Sequence, residues 1–170
     1  MPLFRKAAAV EDNPAETQPA TKISELLPPA AIKLNLEAAD KEEAFEELVD
    51  LLMRCGSIHD REGALQALRD REKLMSTGIG NGVAIPHGKH PSVNRLVAAL
   101  GISPRGVEFD ALDGKPANLV FVLLARPDNP GPHIQALAEI ARLIQSPGLV
   151  KRLLEAHTPT EVLDIIRAEE

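Results

Sequence analysis

The stretch Ser76-Thr77-Gly78-Ile79-Gly80-Asn81-Gly82-Val83-Ala84-Ile85-Pro86-His87-Gly88-Lys89-His90 constrains the fold of this chain more than any other. Glycine at alternate positions tolerates backbone conformations that other residues resist, so the chain turns sharply there. The apolar run Val83 to Ile85 that follows suits a short buried strand. It ends in a histidine between Pro86, which fixes φ before it, and Gly88, which leaves space after it. The pattern predicts an exposed imidazole held on stiff backbone at the end of a strand.

Around this motif, helical and strand periods interleave. Ile32-Lys33-Leu34-Asn35-Leu36 alternates like a strand. Asp40 with Glu43 three residues later forms a capping signal, and Phe45, Leu48, Val49 and Leu52 recur at helical spacing up to a stop at Gly56. A second helix is expected from Asp60 through Leu65, Leu68 and Arg71, breaking at Ser76. Leu96 to Ile102 and Leu119 to Leu124 suit buried strands, Val107 to Phe109 a brief one, and Asp113-Gly114 a turn. The helical period returns after the loop from Pro127 to Pro132, through His133, Leu137, Ile140 and Ile144. Pro147 ends that helix, a short one runs from Leu149 to about Ala156, and Thr158-Pro159 with Glu161 opens a last one. The interleaving predicts an α/β fold with one mostly buried sheet. Residues 1 to about 20 carry Pro2, Pro14 and Pro19 with scattered acids and no period, so they read as a flexible N-terminal tail before a domain over 21–170.

Composition closes off several functions. A net charge of −6 argues against nucleic acid, whose phosphates select for basic surface, and the lack of Trp and Tyr argues against a base-stacking platform. Cys55 is the single cysteine, so an internal disulfide is impossible and a reducing compartment fits. It reads as a buried inert thiol late in a helix. No apolar run reaches the ~20 residues of a membrane span. Arg5-Lys6 with the short run Ala7 to Val10 is too brief for a signal peptide. A cytoplasmic protein is expected.

Three chemistries compete for the glycine motif. Gly78, Gly80 and Gly82 match neither the dinucleotide fingerprint nor the P-loop, and the predicted order of helix, loop, strand offers no following helix terminus for a phosphate. A zinc site built from His87, His90 and His133 lacks nearby acids to orient the imidazoles, so no metal is expected. Nucleophilic attack by an imidazole on phosphorus remains, since one ring nitrogen holds a lone pair while the other is protonated. Such a site needs an accessible histidine, donors for the phosphoryl oxygens and a cation. His87 supplies the first, the glycine-loop amides are candidate donors, and Arg71 and His133 lie on the flanking helices.

At these residues the chain resembles the enzyme IIA domain of the phosphoenolpyruvate-dependent phosphotransferase system, of the fructose–mannitol class. Within that class it is most similar to the nitrogen-regulatory branch. The likeness rests on Arg71-Glu72-Lys73, on Ser76 to Lys89 with its Ile-Pro-His-Gly ending, on Leu112-Asp113-Gly114-Lys115-Pro116, and on His133 with Leu137 and Ala141. Order and spacing agree from about Ile23 to the C-terminus. The resemblance implies a mixed sheet with helices on both faces and no cofactor. It implies His87 as the phosphorylated nucleophile, His133 as a second active-site imidazole and Arg71 as the stabilising cation. Arg71 also reads as an ordinary salt-bridged helix residue, and His133 as a surface residue at a helix start. His90 and His157 read as structural or surface residues. Asn81 stands where some mannitol-type relatives carry an acid.

The resemblance implies an HPr- or NPr-type phosphocarrier as donor. It leaves three readings. The first is a stand-alone regulatory protein whose phosphorylation state controls partners such as a transporter or a sensor kinase. The second is a sugar-transport subunit passing phosphate to a IIB domain. The third is a binding module that does not turn phosphate over.

Overall fold

The computed structural model describes residues 21–170; the expected N-terminal tail lies outside the described residues. Strand β6 (Ala117–Ala125) is the axis of a six-stranded sheet, buried at every residue but Asn118. β5 (Val97–Val107) lies antiparallel along one side of it, and β1 (Ile32–Lys33) adds in parallel beyond β5. The other side of β6 is shared by two short parallel strands, β3 (Val83–Ala84) and β4 (His87–Lys89). β2 (Gly78–Gly80) pairs antiparallel with β3, so the alternating glycines form a hairpin rather than a phosphate-binding loop.

The near-continuous apolar run of β6 follows from cover on both faces. Val120, Val122 and Leu124 face α2 (Lys41–Arg54) and α3 (Arg61–Leu74). Leu119, Phe121 and Leu123 face α1 (Ile23–Leu26), α4 (Pro130–Leu143), α5 (Leu149–Glu155) and α6 (Pro159–Glu169). β5 alternates likewise, Val97 and Ala99 to the first core, Ala98, Leu100 and Ile102 to the second. Full burial of such side chains stabilises by about 1.5–3 kcal/mol each. The result is a mixed sheet with helices on both faces, as expected. None of the described helices is long and apolar enough to cross a membrane.

The caps expected at Asp40 and Thr158 form, and Asp60, expected as a helix start, adds a third. Asp40, Asp60 and Thr158 accept from the backbone N–H of Glu43, Gly63 and Glu161 at 2.9, 2.9 and 3.1 Å. Cys55 caps α2 half-buried, and burial pushes its thiol pKa up. Two strand expectations need correction. Only Ile32 and Lys33 pair as β1; beyond them a single bond from Leu36 N to Ile102 O, 2.9 Å, continues the contact. The runs read as separate strands at 96–102 and 107–109 are largely one: β5 continues to Val107 through a register shift after Ile102. Pro104 has no N–H to give the ladder, and Ser103 Oγ takes the Gly106 N–H at 3.0 Å, so the irregular residues are satisfied locally.

Candidate active site

Pro86 splits the strand that carries the histidine. It lacks an N–H, but its carbonyl accepts from Leu123 N at 3.0 Å, and pairing with β6 resumes at His87 opposite Leu123. β2 covers β3 but not β4, so the outer flank of β4 is free for another element. Helix α3 fills it. A Cβ on Gly88 would lie 2.9 Å from both the carbonyl carbon and oxygen of Ala67, closer than real contacts allow. Gly88 therefore serves close approach, and its φ is not in the left-handed region.

Arg71 lies about one helical turn beyond Ala67, so the approach at Gly88 also sets the guanidinium over the imidazole. Arg71 Nε is 3.2 Å from His87 Nε2, and a second nitrogen donates to the Met75 carbonyl at 3.0 Å. Across the cleft, α4 begins Pro130-Gly131-Pro132, where missing N–H groups cost nothing, and then presents His133. The His87 and His133 rings meet edge to face, 5.1 Å between centroids at 77°. His133 is 4% exposed, so the surface alternative for it fails. Its Nδ1 is buried without a hydrogen-bond partner among the described residues.

His87 Nδ1 lies 2.8 Å from the carbonyl oxygen of Ile85. A carbonyl only accepts, so Nδ1 carries the proton and Nε2 holds the lone pair facing Arg71. Burial lowers the His87 pKa below its ordinary 6.5; the Ile85 bond opposes this, the Arg71 charge adds to it, Glu72 opposes it and Lys89 adds to it. His133 is pushed down to about 4, by burial first and then by His87 and Lys89. Both rings are thus neutral near pH 7, one with an oriented lone pair. Such a pair can accept a phosphoryl group on nitrogen beside a fixed cation.

The cleft between α3 and α4 is about 460 Å³, lined by Arg71, Leu74, His87, His133, Ile134 and Leu137 among others. Leu74, Ile134 and the adjoining Met75 are 80%, 62% and 64% exposed, an apolar rim around a polar floor.

His87, His133 and Arg71 thus come together, and other expectations fail. His87 is half-buried rather than exposed, because α3 and α4 close over its strand. The glycine hairpin contributes no lining to the cleft. Its turn lies at the other end of β3, where Asn81 N–H goes to Asp113 Oδ2 at 3.1 Å and the Gly82 carbonyl to β6. The expectation of glycine-loop donors is therefore corrected. His90 is held away by Ser92 Oγ at 2.6 Å, near Asp60, and His157 is exposed before α6. Among the described residues no three metal-ligating side chains cluster. The Arg71-Glu72-Lys73 likeness gives Glu72 no role of its own, because an acid at the end of α3 looks like any solvated helix residue, yet it is 8% exposed.

The chain matches the family model described as "Phosphoenolpyruvate-dependent sugar phosphotransferase system, EIIA 2" over residues 25–169. It is 41% identical to the fructose-specific EIIABC component of Bacillus subtilis over 85% of its own length, but spans only 23% of that relative. It is 38% identical to a fructose-specific EIIA component of Haloferax volcanii, covering 86% of this chain and 95% of that one. Identity to a nitrogen regulatory protein of Bradyrhizobium diazoefficiens is 33%, covering 85% and 94%. Among solved structures, the nitrogen regulatory protein IIA-Ntr of Neisseria meningitidis superposes with a TM-score of 0.79 at 38% identity, covering 85% and 98%. The enzyme IIAMTL of Escherichia coli, solved in complex with phosphorylated enzyme IIBMTL, superposes with a TM-score of 0.72 at 28% identity, covering 84% and 99%. The chain belongs to the EIIA 2 family of the phosphoenolpyruvate-dependent sugar phosphotransferase system.

Proposed function

We propose that this chain is a phosphoryl carrier working in the cytoplasm, charged on His87 by a phosphohistidine of an HPr- or NPr-type protein. The observation that carries the reading is the 2.8 Å contact of His87 Nδ1 with the Ile85 carbonyl, which leaves Nε2 as the nucleophile. In the step, the Nε2 lone pair bonds to phosphorus as the donor's N–P bond breaks, and the donor imidazole leaves with that electron pair. Arg71 releases Nε2 and turns its N–H groups onto the phosphoryl oxygens, where they face developing charge. His133, neutral and buried beside the ring, offers a further donor without adding a cation that would hold the phosphoryl group too tightly. The apolar rim of Leu74, Met75 and Ile134 is where the partner protein packs and excludes water.

We read the protein as a stand-alone regulator of the nitrogen-regulatory type, whose phosphorylation state controls its partners. A phosphoryl group adds about −1.5 to −2 in charge, on the figure for phosphorylated hydroxyls, inside an apolar ring. A transporter or sensor kinase docking over that ring then meets a charge it must desolvate. Pull-downs with His87→Ala and His87→Asp are expected to retain different partners; identical retention would count against regulation by charge. The second reading, a IIA subunit handing phosphate to a IIB domain, is favoured by the fructose-specific relatives and by the IIAMTL–IIBMTL likeness. Phosphate transfer to a IIB domain separates the two.

The deciding experiment incubates the chain with phosphoenolpyruvate, enzyme I and an HPr-type carrier. An acid-labile, base-stable phosphate is expected on the wild type and absent from His87→Ala. An unlabelled wild type would leave only the non-catalytic binding module, and a labelled His87→Ala would move the site elsewhere.

A further inference from the structure

Glu72 is doubly misplaced for an ordinary helix residue. Its carboxylate is buried, which costs free energy unless fully bonded, and it sits in the last turn of α3, where the helix dipole disfavours negative charge. Its compensation comes from Thr77 and Lys41. Thr77 N–H reaches Glu72 Oε1 at 3.1 Å and Oε2 at 3.2 Å, and Thr77 Oγ1 donates to Oε2 at 2.6 Å. Lys41 Nζ stands 3.6 Å from Oε1 and is shared with Asp110 at 2.9 Å.

The chain of bonds continues beyond Thr77. The Thr77 carbonyl accepts from Ile85 N at 2.9 Å, and the Ile85 carbonyl accepts from His87 Nδ1 at 2.8 Å. The N–H and C=O of Thr77, like those of Ile85, belong to different peptide groups joined at Cα. These bonds therefore fix the position of the imidazole, while the charge of Glu72 acts on the ring through space. The neighbouring residue on α3, Arg71, touches the opposite ring nitrogen. One helix end thus addresses both sides of the ring, with negative charge behind Nδ1 and positive charge before Nε2.

We propose that Glu72 is a positioning residue for phosphorylation of His87, fixing the Thr77 and Ile85 backbone so that the ring keeps its Nδ1 proton inward, and making Nε2 more nucleophilic by its nearby negative charge. This rests on the carrier reading above. The charged and titratable groups around the pair are Arg71, Lys89 and His133 on the imidazole side and Lys41 and Asp110 on the carboxylate side. Among the described residues, Arg71 and Lys89 disfavour protonation of the imidazole and Glu72 favours it.

The test compares wild type, Glu72→Gln and Thr77→Val in the unphosphorylated protein and in the labelling assay. Glu72→Gln keeps an acceptor for Thr77 and removes the charge. By nitrogen NMR its His87 midpoint is expected at lower pH than wild type, with part of the ring in the other tautomer. Its phosphorylation is expected to slow about tenfold, the low end of the loss found for outer partners of metal-bound imidazoles. Thr77→Val keeps the charge and the peptide link, so its His87 midpoint should stay at the wild-type value. If Glu72→Gln does not fold, Glu72→Asp retracts the charge and must move the midpoint and rate in the same direction. A labelled wild type with unmoved midpoint and rate in the Glu72 variants overturns the Glu72 role alone. An unlabelled wild type overturns the carrier reading and this role with it.

Discussion

The glycine-rich motif has two ends, and they answer to different physical demands. At the hairpin end, Gly80, Asn81 and Gly82 take φ of 88°, 57° and 78°, so conformation decides which residues fit. At the histidine end, Gly88 has ordinary backbone angles, and the 2.9 Å left to Ala67 decides. Only the second end touches the cleft. Residues of one type in one motif thus divide into those that shape the chain and those that place the chemistry. Substitutions at the two ends should therefore separate stability from transfer rate.

The largest effect is expected at Arg71. Arg71→Ala removes the group facing Nε2 and should slow phosphorylation by roughly 10²–10³, typical for losing a donor aimed at developing charge. It should also raise the His87 midpoint, because Arg71 opposes protonation of the ring. That is the reverse of the shift expected for Glu72→Gln, so the two variants test opposite sides of one imidazole. Equal midpoints would show that the ring does not feel either charge.

Acid should next distinguish the two ends by pH window. His133 falls from 6.5 unfolded to about 4 folded, so the unfolded chain binds the extra proton between those values. The stability it contributes is whole above 6.5 and is lost as pH falls to about 4, on the order of 3 kcal/mol at most. His87 shifts in the same direction. At the hairpin end, Asp113 holds the N–H groups of Asn81 and Lys115, and its pKa lies below 3.8, so its contribution survives until more acid pH. Urea midpoints at pH 7 and 4.5 should differ in wild type and differ less in His133→Gln, where His87 keeps part of the difference. No change between the two pH values in wild type would contradict the buried neutral ring.

Gly88→Ala should come third. The added methyl has no room against the α3 backbone, so the helix must move and Arg71 with it. Phosphorylation is expected to fall roughly tenfold to a hundredfold, as small displacements of positioning groups do. Unfolding measured on the same variant should show about 1–3 kcal/mol of overpacking cost. Gly82→Ala should have the smallest functional effect. It forces a side chain into left-handed backbone at about 1–2 kcal/mol, with labelling kinetics near wild type. A rate loss larger at Gly82 than at Gly88 would reverse the division drawn here.

Much of this was legible in the sequence. The caps at Asp40 and Thr158 depend on bonds within three residues and form as read, and the helix start expected at Asp60 is a cap of the same kind. The continuous apolar runs of β5 and β6 follow from a sheet covered on both faces, so the α/β class was readable too. The Ile-Pro-His-Gly ending singled out His87 because its neighbours restrict backbone and bulk locally. Less legible was the join across Ser103 to Gly106, where a local hydroxyl bond replaces ladder pairing and hides one strand as two.

Which residues can do chemistry is written in local sequence: His87 first, with Arg71 and His133 on flanking helices. The tertiary structure alone decided their relations: which ring nitrogen is free, that α3 rather than the glycine hairpin meets the imidazole, and that Glu72 is buried behind it. The reason is range. Capping and alternation are short-range and written in neighbouring residues, whereas the contact of Gly88 with Ala67 and the Glu72–Thr77–Ile85–His87 path exist only once the sheet and α3 have packed.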